Sequence, residues 1–163
     1  TFAPSLYVVR AFLGSTPRRL ASANASEGPT CGHSLHDRSG EGIPMPYDIN
    51  NVFARILRGE IPAEKVYEDE HVLAFHDIGR LTPVHVLVIP KGTYTSIDDF
   101  SQRATDSELA AYIRAIGAVA RKLGVAETGY RVVTNCGEDA NQEVPHYHSH
   151  IFGGRKLGGV KPR

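Results

Sequence analysis

The sequence PHYHSHIFGG, residues 145–154, decides the fold, because it places a histidine at every second position three times in succession. Successive side chains of a β-strand point to opposite faces, so residues two apart share one face, with Cα atoms roughly 6.6–6.8 Å apart. We therefore expect a strand that aligns His146, His148 and His150 on one face. Tyr147, Ser149 and Ile151 should point to the other face, and the glycines at 153 and 154 should end the strand.

Four more strands are expected upstream of this one. The segment VHVLVIP, residues 84–90, alternates along its length and is rich in β-branched residues, which is typical of a buried strand. The segment KVYEDEHVLAFHDI, residues 65–78, is typical of two short strands joined at an acidic turn over 68–70. GYRVVTN, residues 129–135, supplies the fourth.

Two helices complete the pattern. In NNVFARILRGEIP, residues 50–62, apolar residues at helical spacing follow a capping asparagine, and Gly59 and Pro62 end the helix. TDSE, residues 105–108, is a capping box that opens a long amphipathic helix ending at Gly124. Short links between consecutive strands favour antiparallel pairing. The predicted fold class is α+β: an antiparallel sheet meander with one short and one long helix, over residues 45–163.

Residues 1–44 differ from this domain. Ser, Ala, Gly and Pro dominate after residue 14, four arginines occur, and no acid appears before Glu27. Such a segment buries too little apolar surface to offset its ordering entropy, so we expect a flexible N-terminal extension that is dispensable for activity. It is interpreted either as an organelle transit peptide or as an extension upstream of a natural start at Met45. Arg10 interrupts its apolar stretch, which disfavours a secretory signal.

Overall composition excludes several classes of protein. The 163 residues contain 18 basic and 18 acidic side chains, so the formal charge is zero and gives no general attraction for nucleic acid or an anionic membrane. No apolar run reaches the length of a transmembrane helix. Two cysteines are too few for a disulfide framework.

The histidine cluster has three interpretations. It can be structural, with each imidazole bonded to backbone carbonyls. It can bind zinc, although the sequence has no cysteine pair and no His-Glu-x-x-His motif to supply the remaining ligands. It can also be catalytic, with one neutral imidazole as a nucleophile and neighbouring groups that set its tautomer and assist the leaving group. An imidazole nucleophile suits a phosphoryl centre, because the nitrogen–phosphorus bond that forms is labile.

The segment HYHSHIF resembles the signature of the histidine triad family, in which three histidines alternate with apolar residues. The likeness extends to VFARILRGEIP (52–62), YEDEHVLAFHDI (67–78), TPVHVLVIPK (82–91) and residues 129–155, in the same order and at the same spacing. Within this family, the sequence is more similar to the Hint branch, the purine nucleoside phosphoramidases, than to the diadenosine polyphosphate hydrolases of the Fhit-like branch. The family resemblance implies the corresponding α+β fold.

The resemblance also implies roles for individual residues. His148 aligns with the family nucleophile, which forms a nucleotidyl-histidine intermediate, and His146, His150 and His85 align with the other histidines of the site. Asp77 aligns with the acid that holds the two ribose hydroxyls, for which a carboxylate is a good acceptor. The other aligned substrate-binding positions are His76, Ile78, Phe53, Ile56, Phe75, Leu87, Asn135, Asn141, Gln142 and Glu143.

Two further expectations concern the phosphate. Gly137 and the loop after it can offer backbone N–H groups to an anion. Glu143 departs from relatives that have a serine at this position, and its carboxylate would repel a phosphate unless it turned away, so we expect its backbone to make the contact.

The resemblance implies a homodimer that binds purine nucleotides and uses neither a cofactor nor a metal. We expect no nucleic-acid or membrane partner. The expected location is the cytoplasm, or the mitochondrion if residues 1–44 are a transit peptide. The alternatives left open are dinucleoside polyphosphate hydrolysis and a non-catalytic module that binds nucleotide or zinc.

Overall fold

The computed structural model describes residues 47–159. The predicted extension over residues 1–44 lies outside the described residues, and the boundaries 45–163 stay a prediction. No helix in the described part of the chain combines the length and the hydropathy needed to cross a bilayer.

Five strands form one antiparallel sheet in the order β1-β2-β3-β5-β4. They are β1 (Lys65–Glu68), β2 (Val72–His76), β3 (Val84–Pro90), β4 (Arg131–Val133) and β5 (Ser149–Gly153). The predicted α+β class with an antiparallel sheet is confirmed. The first three strands form the predicted meander. After β3 the chain leaves the sheet through two helices and returns at the far edge, so β5 pairs with β3 and β4 lies outside β5.

Strict alternation gives the sheet two different faces. On β3 and β5, His85 lies opposite Phe152 and Leu87 lies opposite His150. These residues share one face of the sheet with a cluster of buried apolar side chains. Phe53 of the short helix α1 (Val52–Leu57) belongs to this cluster. This face holds the histidines, so it is the face on which the site is built.

The long helix α3 (Asp106–Lys122) covers the opposite face. Its Tyr112 is fully buried, and the Tyr112 hydroxyl donates to the backbone oxygen of Val88 at 2.8 Å and can accept from the Ser149 hydroxyl, 3.1 Å away. Tyr147 stacks on the Tyr112 ring with centroids 4.7 Å apart. The residues between the histidines therefore point away from them, as predicted, and the polar Ser149 is satisfied by a tyrosine of α3.

The helix ends follow the sequence signals. Asn51 caps α1 by accepting from the backbone N–H groups of Phe53 and Ala54. Thr105 and Glu108 form the predicted capping box at the start of α3. Gly124, with a φ of +70°, lies directly after the C-cap residue of α3, where the left-handed region favours glycine.

A third helix, α2 (Ile97–Arg103), was not predicted. Phe100 is its only buried residue, so the segment lacks the apolar period by which a helix is recognised. Its usable signal was local: Ser96 caps the backbone N–H of Asp99, and two aspartates occupy the first turn.

The strand predicted over residues 145–154 is shorter than expected. β5 begins at Ser149, so His146 and His148 precede it. Pro145 has no N–H to give to a ladder, and the His146 N–H bonds back to the Val144 oxygen at 2.8 Å, which turns the chain. The N–H of the next residue, Tyr147, donates to the backbone oxygen of Tyr94, which does not belong to a strand.

Candidate active site

A cavity of about 830 Å³ opens on the histidine-bearing face of the sheet. His85, His148 and His150 line it together with Asp77. Phe53, Ile56, Phe75 and Leu87 form an apolar wall. The cavity is large enough for a nucleotide-sized ligand and combines an apolar region with a few convergent polar groups, as small-molecule sites do.

The tautomer of His148 is fixed by the backbone. Its Nδ1 lies 2.7 Å from the carbonyl oxygen of His146. A carbonyl only accepts, so Nδ1 must hold the ring proton and the lone pair of the neutral ring is on Nε2. No group among residues 47–159 hydrogen-bonds to that Nε2. An imidazole with its basic nitrogen available at a cavity is a competent nucleophile.

Burial keeps the His148 ring neutral. Desolvation lowers the pKa of His148, outweighing the bond to the His146 oxygen and the carboxylates of Glu143 and Asp77, which act in the opposite direction. The edge of the Phe53 ring faces His148, with centroids 5.1 Å apart, and contributes to that burial. The unprotonated form therefore predominates at neutral pH.

His150 and His85 form a second linked pair. His85 Nε2 lies 2.9 Å from His150 Nδ1 and 3.3 Å from Asp77 Oδ2. The Leu81 N–H points at His85 Nδ1 at 3.4 Å, which assigns the ring proton of His85 to Nε2 and makes His150 Nδ1 the acceptor. The proton of His150 is then on Nε2, where it is available to a ligand oxygen. Burial and the two neighbouring imidazoles lower the pKa of His150 to about 4.

Asp77 lies directly after β2, and a backbone hydrogen bond fixes its carboxylate. Gly79 N–H donates to its Oδ1 at 2.7 Å, and its side chain is 19% exposed. The carboxylate lines the cavity, so its remaining lone pairs can accept from hydroxyl groups of a ligand.

The expectation that Gly137, in the loop after β4, offers its N–H to an anion is wrong. Gly137 N–H, expected to face an anion, donates to Gln142 Oε1 at 3.0 Å, and the N–H groups of Asn141 and Gln142 bond within the same loop. Gln142 also donates to the backbone oxygens of Thr95 and Val144. Gln142 therefore braces the loop, because its amide bonds both ends of it. Asn135 and Asn141 line the cavity and have side-chain amides that can donate to a ligand.

The charges of the cavity wall are mainly negative. Glu64, Asp77 and Glu143 line it, and Arg80 is the only lysine or arginine among its described lining residues. Arg80 is engaged with Glu64, at 2.7 Å. Glu143 lines the cavity and is exposed to solvent.

Asp77, His85 and His150 can also be considered as a metal site, since one ligand atom from each lies within 4.8 Å of the others. Two imidazoles and a carboxylate are a donor set that suits zinc. The same atoms bond one another in the structure, so a metal ion would have to replace these bonds.

The structure brings most of the predicted site residues to one cavity. Those that line it are His85, His148, His150, Asp77, His76, Ile78, Phe53, Ile56, Phe75, Leu87, Asn135, Asn141 and Glu143. Gln142 and His146 do not line it. His146 is fully buried beneath His148, which it contacts through its backbone oxygen.

Sequence reasoning missed several residues. Phe152 lines the cavity with its ring parallel to that of His150, and the two-residue spacing was a signal that could have found it. Thr134 donates to the His148 carbonyl oxygen at 2.7 Å, and Tyr47 hydrogen-bonds His146. No pattern in the sequence marks these two contacts, because both depend on loop conformation.

The chain is similar in sequence to known proteins. The chain is 67% identical over 112 residues to an uncharacterized 13.2 kDa HIT-like protein of Azospirillum brasilense, covering 69% of this chain and 92% of that protein. It is 39% identical over 107 residues to the purine nucleoside phosphoramidase of Escherichia coli strain K12, covering 66% of this chain and 89% of the enzyme.

Solved structures give the same result. A histidine triad protein from Clostridium difficile is 41% identical, with a TM-score of 0.63, over 70% of this chain and 98% of that one. A HIT family hydrolase from Clostridium thermocellum is 42% identical, with a TM-score of 0.61, over 68% and 95% of the two chains. The family profile described as the HIT domain matches residues 58–157. Since that match covers more than half of the chain and includes the cavity histidines, the chain belongs to the HIT domain family, the histidine triad proteins.

Proposed function

We propose that this protein is a hydrolase that cleaves the P–N bond of purine nucleoside 5′-phosphoramidates through a nucleotidyl-histidine intermediate on His148. The observation that supports this most directly is the tautomer of His148, whose Nδ1–H bond to the His146 oxygen leaves Nε2 as the basic nitrogen at the cavity. The similarity to the phosphoramidase of Escherichia coli suggests the same substrate class.

The cavity suggests how the substrate binds. The purine would lie against the apolar wall of Phe53, Ile56 and Leu87, and the ribose hydroxyls would donate to Asp77. The phosphate would then lie beside His148, within reach of the N–H of His150 and the amides of the 135–141 loop. These donors are positioned before the substrate arrives, so they stabilise developing charge without reorganisation.

The reaction then has two steps. His148 Nε2 attacks phosphorus, a bond forms between them, and the P–N bond breaks as the amine nitrogen takes up a proton from solvent and leaves as a neutral amine. Water next adds its oxygen to phosphorus and breaks the bond to His148, which releases a nucleoside monophosphate and one proton and restores the neutral imidazole.

Charge favours this substrate over dinucleoside polyphosphates, the second candidate. A phosphoramidate has a single negative charge at phosphorus, whereas a polyphosphate chain has several. Among residues 47–159 the cavity wall has three carboxylates and one arginine, which is paired with Glu64, so additional anionic charge gains no partner there.

One comparison tests the proposal. Adenosine 5′-phosphoramidate and diadenosine tri- and tetraphosphate are assayed under identical conditions with the wild type, His148→Ala and the control His71→Ala. We expect the phosphoramidate to have the highest kcat/KM, and His148→Ala to lose about 10³-fold or more, as when a nucleophile is removed. His71 does not line the cavity, so its variant should retain activity. Equal turnover by wild type and His148→Ala would refute the mechanism.

A non-catalytic zinc module is the candidate from another class, and the cluster of Asp77, His85 and His150 is the observation in its favour. Elemental analysis distinguishes it: one tightly held zinc per chain, together with no turnover of either substrate, would replace the proposal above.

We further propose a homodimer. Three large apolar side chains are exposed to solvent. Val132 on the edge strand β4 exposes 41% of its surface, Ile113 on α3 exposes 68%, and Tyr130 exposes 38%. An edge strand with exposed apolar residues invites pairing with a second copy. Sedimentation of the wild type and Val132→Glu tests this: a dimer that the substitution weakens is expected, and a monomeric wild type would contradict it.

A further inference from the structure

Tyr47 reaches the histidine cluster from outside the region that the family profile matches, which begins at residue 58. Its hydroxyl hydrogen-bonds Nδ1 of His146, and the two rings meet edge to face with centroids 5.5 Å apart. A turn holds Tyr47 next to α1, because Asn51 donates to the backbone oxygen of Asp48 through both its backbone and its side-chain nitrogen, at 3.2 and 2.6 Å. The same Asn51 caps α1.

The direction of the Tyr47 bond follows from the other side of the ring. His146 Nε2 lies 2.9 Å from the carbonyl oxygen of Pro90, so Nε2 holds the ring proton and Nδ1 is an acceptor. Tyr47 must therefore donate. Burial raises the pKa of the Tyr47 phenol, which keeps that proton in place.

This donor is difficult to replace. His146 is 0% exposed, so solvent does not reach Nδ1. Removal of the hydroxyl would leave a buried acceptor without a partner, and the ring could recover one only by moving or by changing its protonation. Either change affects the residue whose backbone oxygen fixes the tautomer of His148.

We propose that Tyr47 is a positioning residue for the nucleophile: its hydroxyl orients His146, and the carbonyl of His146 orients His148. This goes beyond a packing role, because the ring of Tyr47 could fill the same space without an oxygen. The inference rests on the proposed function for the choice of assay substrate, but the hydrogen-bond chain itself can be measured without any substrate.

The first test uses the full-length chain and the variant Tyr47→Phe, which keeps the ring and removes the hydroxyl. We expect kcat for adenosine 5′-phosphoramidate to fall about tenfold while KM changes less than about twofold, since the substrate pocket is not altered. The acidic limb of kcat should move to higher pH, because an Nδ1 without a donor takes up a proton more readily. The control is Tyr67→Phe, which removes a tyrosine hydroxyl that bonds Asp69 away from the cavity and should change neither.

The second test is independent of activity. Nitrogen-15 NMR of the histidine rings should show His146 protonated at Nε2 and His148 protonated at Nδ1 in the wild type, and Tyr47→Phe should shift the signals of both rings. A wild type that has His146 protonated at Nδ1 overturns the inference, even if the variant does not fold. Unchanged kcat and unchanged ring signals in Tyr47→Phe overturn it as well. A wild type that shows the expected tautomers but does not hydrolyse the phosphoramidate would refute the proposed function alone.

Discussion

The ring of His148 donates from Nδ1 to the backbone oxygen of His146, 2.7 Å away, and this one bond determines which nitrogen of the ring can react. The orienting acceptor is a main-chain carbonyl two residues earlier, rather than a carboxylate. Because the acceptor belongs to the main chain of residue 146, this bond sets the tautomer of His148 without using the His146 side chain.

The pH profile should report the neutral form of His148. Its pKa is lowered by burial, so kcat/KM should be level above pH 6.5 and should fall only as pH drops through the lowered pKa. Glu143 raises that pKa through its charge, so Glu143→Gln should move the acidic limb to lower pH. Rate measurements between pH 4 and 8 on both proteins check this, and a limb that moves to higher pH would contradict it.

Asp77→Ala should weaken binding of substrates that have ribose hydroxyls. Loss of hydrogen bonds to a charged acceptor costs about 1.5–3 kcal/mol, so KM for the adenosine substrate should rise about 10- to 100-fold. The matched measurement uses the 2′,3′-dideoxy analogue, which lacks both hydroxyls and should distinguish wild type from variant much less. If both substrates lost affinity equally, Asp77 would not be the ribose acceptor.

Thr134→Val tests the hydrogen bond to the backbone oxygen of His148. Thr134 Oγ1 donates to the His148 backbone oxygen at 2.7 Å in the partly buried loop after β4. Valine keeps the shape and removes the donor, so we expect a loss of about 1 kcal/mol in unfolding free energy and a several-fold lower kcat. Thr134→Ser retains the hydroxyl and should resemble wild type in both denaturant unfolding and turnover.

Stability should depend on pH through His146. Burial lowers its pKa in the folded state to about 4, against 6.5 for a histidine exposed to water. The unfolded chain therefore binds more protons between these values, and the free energy of unfolding should decrease as pH falls from about 6.5 to about 4. At ~1.4 kcal/mol per pH unit this one group accounts for roughly 3 kcal/mol. Urea unfolding of wild type and His146→Gln should give a steeper pH dependence for the wild type; equal slopes would contradict it.

The sheet and its helices could be predicted because periodicity and caps are local. The alternation in residues 84–90 and the Thr105–Glu108 box give β3 and the start of α3 directly from the sequence. Strand order depended on contacts between distant segments, and the sequence did not indicate that β4 lies outside β5. The length of β5 was overestimated because a period of two continues through Pro145, whereas hydrogen bonding does not.

Most residues that line the cavity could be predicted, but the hydrogen bonds around it could not. The family resemblance supplied the cavity histidines and Asp77. It could not reveal that Gln142 would occupy the Gly137 N–H, because that bond depends on the folded path of the loop. The contacts of Tyr47 and Thr134 depend in the same way on backbone positions that no repeat or motif encodes.

Under the proposed function, the pairing of Arg80 with Glu64 affects release of the product. A nucleoside monophosphate released from His148 has close to two negative charges at neutral pH, and the described lining of the cavity offers it no unpaired lysine or arginine. The product should therefore leave quickly and inhibit weakly. Salt screens the repulsion between the product and the carboxylates of the cavity, so product inhibition should be weakest at low ionic strength.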